Sequence, residues 1–323
     1  MKTFLLTVQP ELMQLNSVIE DKLRSQVPLV EEIGEHLIAA GGKRLRPLMT
    51  ILAARALSAD SIPPAQIYSL AAVIEFLHTA TLLHDDVIDV SKLRRGRPTA
   101  NATWGNASSV LVGDFLYSRA FQMLVEIDNS DVMAELANTT NLIAEGEVLQ
   151  LVRAGQADTT EEQYLQIIEY KTARLFEAAT RCGALLSNAS ATQVDALASY
   201  GHSLGMAFQL MDDYLDYAGD AAVMGKNVGD DLAEGKPTLP LIRAMQRATK
   251  AEAEQIRTAI TNQSAQELTS ISETVEKCGA LEYTLEVAQR YTFAAQESIR
   301  ALAESDTKKE LLRLAELAVA RNA

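Results

Sequence analysis

The chain has 323 residues, 48 % hydrophobic and 22 % charged, with 29 Lys plus Arg against 43 Asp plus Glu for a formal net charge of −14. That composition excludes wholesale disorder. The acidic surplus argues against nucleic acid and anionic membrane surfaces as partners, and favours metal ions or other cations. Two distant cysteines, Cys182 and Cys278, form no CxxC and exclude a disulfide scaffold, which fits a reducing cytoplasm.

Met1–Val8 carries one lysine and a brief apolar run without a small-residue cleavage site, so no signal peptide is expected. Gly41-Gly42-Lys43-Arg44-Leu45-Arg46-Pro47 reads as a glycine turn with three cations just ahead of a helix. Next, Leu70–Asp89 is apolar nearly all round, yet holds Glu75, His78, His84 and three aspartates. Its apolar part, Leu70–Leu83, is too short to span a bilayer, so a place at the centre of a bundle is expected. Arg94-Arg95-Gly96-Arg97-Pro98 follows directly.

No proline falls between Thr99 and Lys236, which permits a succession of long helices. Within 161–187 the residues Tyr164, Ile167, Ile168, Leu175, Ala178, Ala179 and Cys182 recur at helical spacing. Phe208–Asp216 repeats the buried, acidic character of Leu70–Asp89. Breaks are expected near 41–47, 59–64, 91–101, 128–131, 155–160, 188–190, 219–238 and 263–265. Period-two alternation and Asn-Gly or Asp-Gly hairpin turns are absent, and no linker separates two halves. The chain reads as one all-α domain over 1–323.

The chemistry sits in two acidic clusters, Asp85-Asp86-Val87-Ile88-Asp89 and Asp212-Asp213-Tyr214-Leu215-Asp216. Residues i and i+4 share a helix face, so Asp85 with Asp89, and Asp212 with Asp216, each present two carboxylates together. Two such pairs facing a cavity suit Mg²⁺, which takes few carboxylates and completes its octahedron with water and phosphate oxygens. Solvated helix faces also carry acidic pairs, but these lie inside apolar runs. Cations accompany them: the 43–46 and 94–97 clusters, Lys171 beside Thr172, and Lys226 and Lys236 after the second cluster. Each alone would be an ordinary surface charge; together, beside both clusters, they point to bound phosphate. His78 lies two helical turns before Asp85 and shares its face, whereas His84 reads as structural and His36 and His202 lack metal-ligand spacing. No catalytic triad, Walker loop or dinucleotide fingerprint is present.

GGKRLRP at 41–47, EFLHTATLLHDDVID at 75–89, RRGRPT at 94–99, GDFLYSRAF at 113–121, AEGEVLQL at 144–151, KTARLFEAA at 171–179, FQLMDDYLDY at 208–217 and GKNVGDDLAEGKPTLP at 225–240 together resemble the trans-prenyl diphosphate synthases. Among these the chain is most similar to the long-chain, octaprenyl-type enzymes that make quinone side chains, such as that of ubiquinone. The resemblance implies an all-helical bundle around a central cavity, a cytoplasmic homodimer, and peripheral membrane contact at most for product release. It implies Mg²⁺ held by Asp85, Asp89 and Asp212, with Asp86, Asp213 and Asp216 completing the motifs. Arg94, Lys171, Thr172, Gln209, Lys226 and Lys236 would contact the allylic diphosphate; Lys43, Arg46, His78 and Arg95 would hold isopentenyl diphosphate, with Arg44 in the same basic motif.

Product length is a question of depth. Short-chain relatives carry aromatics four and five positions before the first aspartate; here Thr81 and Ala80 stand there, which implies an open floor. The first motif also lacks the two-residue insertion of common bacterial short-chain synthases. A long product needs a tunnel of roughly 30–40 Å, the length of a 20–27-residue helix, and Met123 is a candidate for its far end. The competing expectations are a short-chain synthase, a class I terpene cyclase and a non-catalytic subunit of a heteromeric synthase. A cyclase would pair one Asp motif with a different second motif, and a non-catalytic subunit would lack the metal ligands.

Overall fold

The computed structural model describes residues 8–39, 44–58, 64–94, 96–218 and 229–320. They fall into two compact units, each gathered from three chain segments. The first holds Met1–Thr140, Leu175–Gly201 and Ser298–Leu314; the second holds Asn141–Arg174, His202–Glu297 and Ala315–Ala323.

In the first unit, α1 (Gln9–Lys22), α2 (Pro28–Ala39), α3 (Leu45–Leu57) and α4 (Ala65–Ile88) come first. Pro64 is the N-cap of α4, where a proline's fixed φ and missing N–H cost the helix nothing. α4 packs against α3 and against α6 (Asn106–Ile127), and nearly every position from Ile67 to Leu77 is buried. It is longer than its apolar sequence stretch. At 24 residues, with a mean hydropathy of 1.3 over its best window, it could cross a bilayer by length and composition. Against the expectation from sequence, length therefore does not exclude a span; burial does, because 67 % of that window lies inside the protein.

After α4 the chain makes a small antiparallel ribbon, β1 (Leu93–Arg94) against β2 (Arg97–Pro98). The sequence rule for hairpins missed it because the turn's glycine, Gly96 at φ 72°, does not follow an Asn or Asp. Thr99 then caps α5 (Ala100–Trp104), its hydroxyl accepting from the Ala102 N–H. α7 (Ser130–Arg153) begins in the first unit and ends in the second.

In the second unit, Thr160 and Gln163 form a capping box that starts α8 (Glu161–Ile168). A π-helical segment, Glu169–Ala173, joins it to α9 (Arg174–Leu186). α10 (Ala191–Ala218) carries the second acidic cluster, followed by α11 (Asp230–Ala233) and α12 (Leu239–Arg247). α13 (Lys250–Thr261), α14 (Leu268–Lys277), α15 (Ala280–Ser298) and α16 (Asp306–Val319) complete the chain. Tyr164, Ile168, Met206, Leu210, Met211 and Leu239 form the apolar cluster under the acidic helix. The breaks at 248–249 and 278–279 were not expected from sequence, because no proline marks them. A second capping box, Thr249 with Glu252, opens α13 instead.

Candidate active site

The first acidic motif lies at the C-terminal end of α4. Asp86 is 1 % exposed, and its Oδ1 accepts from Arg94 Nε at 2.9 Å and Nη2 at 2.7 Å. Its Oδ2 is buried with no hydrogen-bond partner among the described residues. Burial pushes this carboxyl above the usual range, and Arg94 pulls it back. Asp85 and Asp89 are half-buried on either side. Arg94, expected on the allylic diphosphate, thus spends its fork on Asp86.

Two to three turns earlier, the basic motif meets α4. Arg44, at φ 47°, forms an ion pair with buried Glu75. Its charge is matched within the protein, a difference from its expected place among the isopentenyl diphosphate ligands. Arg46 lies 4.3 Å over the Phe176 ring and donates from Nη1 to His78 Nε2 at 3.1 Å. The structure therefore brings Arg46 and His78 together. Lys43 and Arg95 lie outside the described residues.

The chain-length positions differ from expectation. Ala80 is 0 % exposed and Met123 1 %, so neither faces open space here. The open floor inferred from small side chains is closed at Ala80 by packing, which spacing along one helix does not reveal. Thr81 is half-buried, its hydroxyl donating to the His78 carbonyl at 2.8 Å. His84 is structural as expected: it stands 3.2 Å from the Val110 carbonyl and 3.4 Å from Asp114, and a Cβ on Gly113 would strike it.

The second motif sits in a denser polar network. Asp213 is buried, with Oδ2 accepting from Tyr164 OH at 2.5 Å and Oδ1 from Gln209 Nε2 at 2.7 Å. Gln209 Oε1 in turn accepts from the Thr172 hydroxyl at 2.9 Å. Both oxygens of Asp213 thus hold neighbouring side chains. Asp216 Oδ2 accepts from the Asp231 N–H at 3.3 Å. Burial first, and the charge of Asp231 second, push Asp213 up to about 7 and Asp216 up to about 8. Asp212, in contrast, is half-buried. Lys236 pairs with Glu234, and Lys226 lies outside the described residues.

Lys171 and Thr172 lie on the π segment, an irregularity frequent at functional sites. Glu169 and Arg174 form an ion pair across it at i, i+5, a spacing that faces across a π turn but not an α turn. Lys171 Nζ donates to Glu147 Oε2 at 2.6 Å and Gln150 Oε1 at 2.7 Å, both on α7. The helix can come this close because residue 146 is glycine; a Cβ there would lie 2.8 Å from the Lys171 nitrogen. Sequence reasoning assigned no role to Tyr164, Glu147 or Gln150. Glu147 and Gln150 stood in a quoted motif at i, i+3 spacing, which was a usable signal; Tyr164 looked like one more apolar-stripe residue.

Among the described residues, no group of three or more His, Cys, Asp or Glu side chains could hold a metal ion unaided. Mg²⁺ takes one or two carboxylates and fills its remaining positions with water and phosphate. The partnerless Asp86 oxygen and the raised Asp213 and Asp216 carboxyls are groups that a nearby cation would stabilise, so the donor set fits the ion.

Comparisons with known proteins agree with these features. The chain is 46 % identical over 309 residues to the octaprenyl diphosphate synthase of Escherichia coli (strain K12), covering 95 % of both chains. It is 48 % identical over 307 residues to the all-trans-nonaprenyl-diphosphate synthase (geranyl-diphosphate specific) of Rhodobacter capsulatus, covering 95 % of this chain and 94 % of that one. A solved polyprenyl synthase from Caulobacter crescentus CB15, complexed with calcium and isoprenyl diphosphate, superposes with a TM-score of 0.94 at 44 % identity, covering 99 % and 97 % of the two chains. With residues 27–278 matching the polyprenyl synthetase family model, the chain belongs to the polyprenyl synthetase family.

Proposed function

We propose that this protein is a Mg²⁺-dependent, chain-elongating trans-prenyltransferase, acting as one domain on an allylic diphosphate, farnesyl diphosphate, and successive isopentenyl diphosphates. The product is a long-chain all-trans polyprenyl diphosphate of eight or nine isoprene units, for quinone side chains; the octaprenyl and nonaprenyl relatives support that length. The observation that carries the reading is the form of the two motifs. The first places half-buried Asp85 and Asp89 around buried Asp86, whose Oδ1 takes Arg94; the second places half-buried Asp212 beside buried Asp213, whose oxygens take Tyr164 and Gln209, and buried Asp216.

Asp85, Asp89 and Asp212 would hold Mg²⁺, which supplies positive charge to the leaving diphosphate. Arg94, Lys171, Thr172, Gln209, Lys226 and Lys236 bind and orient the allylic diphosphate; Arg46 and His78, with Lys43 and Arg95, hold isopentenyl diphosphate, while Arg44 braces the basic motif through its ion pair with Glu75. The allylic C–O bond breaks to a delocalised carbocation, and the isopentenyl double bond attacks it. A proton is then lost to the departing diphosphate. The chain supplies no covalent nucleophile, only position, charge and a dry cavity.

Exposed Val110, Leu111 and Val125 on α6 support a homodimer, and sedimentation tests it. The enzyme is cytoplasmic in this reading, touching membrane only peripherally to release product. One observation favours a second reading: sealed Ala80 and Met123 are what a short-chain synthase would show. The deciding experiment supplies farnesyl diphosphate, labelled isopentenyl diphosphate and Mg²⁺, with an EDTA control and Asp85→Ala. Metal-dependent products of eight or nine units, lost in Asp85→Ala, support the long-chain reading. Products stopping at three or four units favour the second, and no incorporation by folded protein overturns both.

A further inference from the structure

Four side chains of the second unit form an unbroken hydrogen-bonded path: Tyr164 OH to Asp213 Oδ2, Gln209 Nε2 to Asp213 Oδ1, and Thr172 Oγ1 to Gln209 Oε1. The path joins α8 and the π segment to α10, and it satisfies both oxygens of a buried carboxylate. An amide side chain can flip, exchanging its donor and acceptor ends. Here the Thr172 hydroxyl could serve either end by donating or accepting, so it is the Asp213 carboxylate, an acceptor, that holds the Nε2 end of Gln209 toward itself and leaves Oε1 for Thr172. Asp213 holds that direction only while its own rotamer is fixed, and among the described residues the hydrogen bond on its second oxygen comes from Tyr164. Tyr164 is 4 % exposed and packs with Ile168, Leu210 and Met211.

We infer that Tyr164 is a positioning residue, setting the orientation of Gln209 and Thr172 toward the allylic diphosphate through Asp213. This rests on the proposed prenyltransferase function and assigns Tyr164 no contact with substrate. If Tyr164 merely filled the core, phenylalanine would serve as well, since it keeps the ring and loses only the hydroxyl. A hydrogen bond to a carboxylate is a strong one, and its loss frees Asp213 to turn.

The test measures kcat and both KM values for wild-type enzyme, Tyr164→Phe, Gln209→Ala and the double variant. The expected result for Tyr164→Phe is a rise of about tenfold in KM for farnesyl diphosphate, with KM for isopentenyl diphosphate unchanged. In the Gln209→Ala background the same substitution adds nothing, because the effect travels through Gln209. Unchanged kinetics, a rise in both KM values, or effects that multiply in the double variant would overturn the assignment. Should Tyr164→Phe fail to fold, Asp213→Asn decides: it offers an N–H to one of the two donors, and must raise the same KM selectively. Wild-type protein that does not elongate overturns the functional reading and this inference together. Elongation by wild type with an indifferent Tyr164→Phe overturns this inference alone.

Discussion

The two acidic motifs share a sequence pattern, yet their buried aspartates are supported differently. Asp86 is answered by a full positive charge, the two-pronged contact from Arg94. Asp213 is answered by neutral donors, Tyr164 and Gln209, and has a further acid, Asp231, among its neighbours. The first motif keeps a charge balance of its own. The second gathers acids close together, and their mutual repulsion adds to burial in raising Asp213 and Asp216, so its ionisation and a cation held there would be linked. The same DDxxD pattern is therefore supported by an arginine in one unit and by neutral donors in the other.

The largest effect expected is on turnover. Asp85→Ala and Asp212→Ala should each lower kcat by about 100- to 1,000-fold, the scale of losing a group that supports developing charge. Steady-state rates check this, and a much smaller loss in one variant would show that the motifs are unequal in chemistry as well as in support. Next comes Arg94→Ala, which strands the buried Asp86 carboxylate. Breaking a buried pair costs about 3–5 kcal/mol, readable by urea denaturation; a loss under 1 kcal/mol would mean that Asp86 is protonated or finds another partner.

A pH series sharpens the contrast. Asp213 and Asp216 have folded values of about 7 and about 8, both above the ordinary 3.8. Their contribution to stability is thus complete below pH 4 and is lost as pH rises through 7 and 8. In EDTA the melting temperature should fall by about 5 °C across that interval, and excess MgCl₂ should reduce the fall. An identical pH profile with and without the ion would break the proposed link. Smallest is Ala80→Phe, meant to shorten the product. Because Ala80 has no exposed surface, overpacking of about 1–3 kcal/mol should accompany any shortening. Thr81→Phe, at a half-buried site, should shorten the product with less loss of stability, as thin-layer product analysis and melting together would show.

Much of this was legible in the sequence because the signals were local. Apolar runs broken by aspartates marked α4 and α10, proline-free sequence allowed the long helices, and the cations stood beside the motifs they serve. What escaped was long-range or three-dimensional. Tyr164 reads as one more apolar position in a stripe, and only tertiary packing sets its hydroxyl on a carboxylate 49 positions away. The π segment had no compositional mark, since Glu169 and Arg174 are ordinary helix formers whose i, i+5 pairing matters only once the extra residue is inserted. Ala80 misled for the opposite reason. A small side chain can line a cavity or admit a neighbouring helix, and here α6 packs on the helix that carries it.

Each compact unit draws on three separated stretches, and the first is completed only by Ser298–Leu314. During synthesis, the ribosome must therefore release nearly the whole polypeptide before either unit has all its parts. Segments such as the start of α10, whose buried Tyr200 hydroxyl donates to the Leu311 carbonyl, wait with apolar surface uncovered, a state that invites chaperone binding. A chain cut near residue 297 would retain every acidic and basic motif and still be unable to finish its first unit. Premature termination late in the message should thus be as damaging as loss of an active-site aspartate, through degradation instead of chemistry.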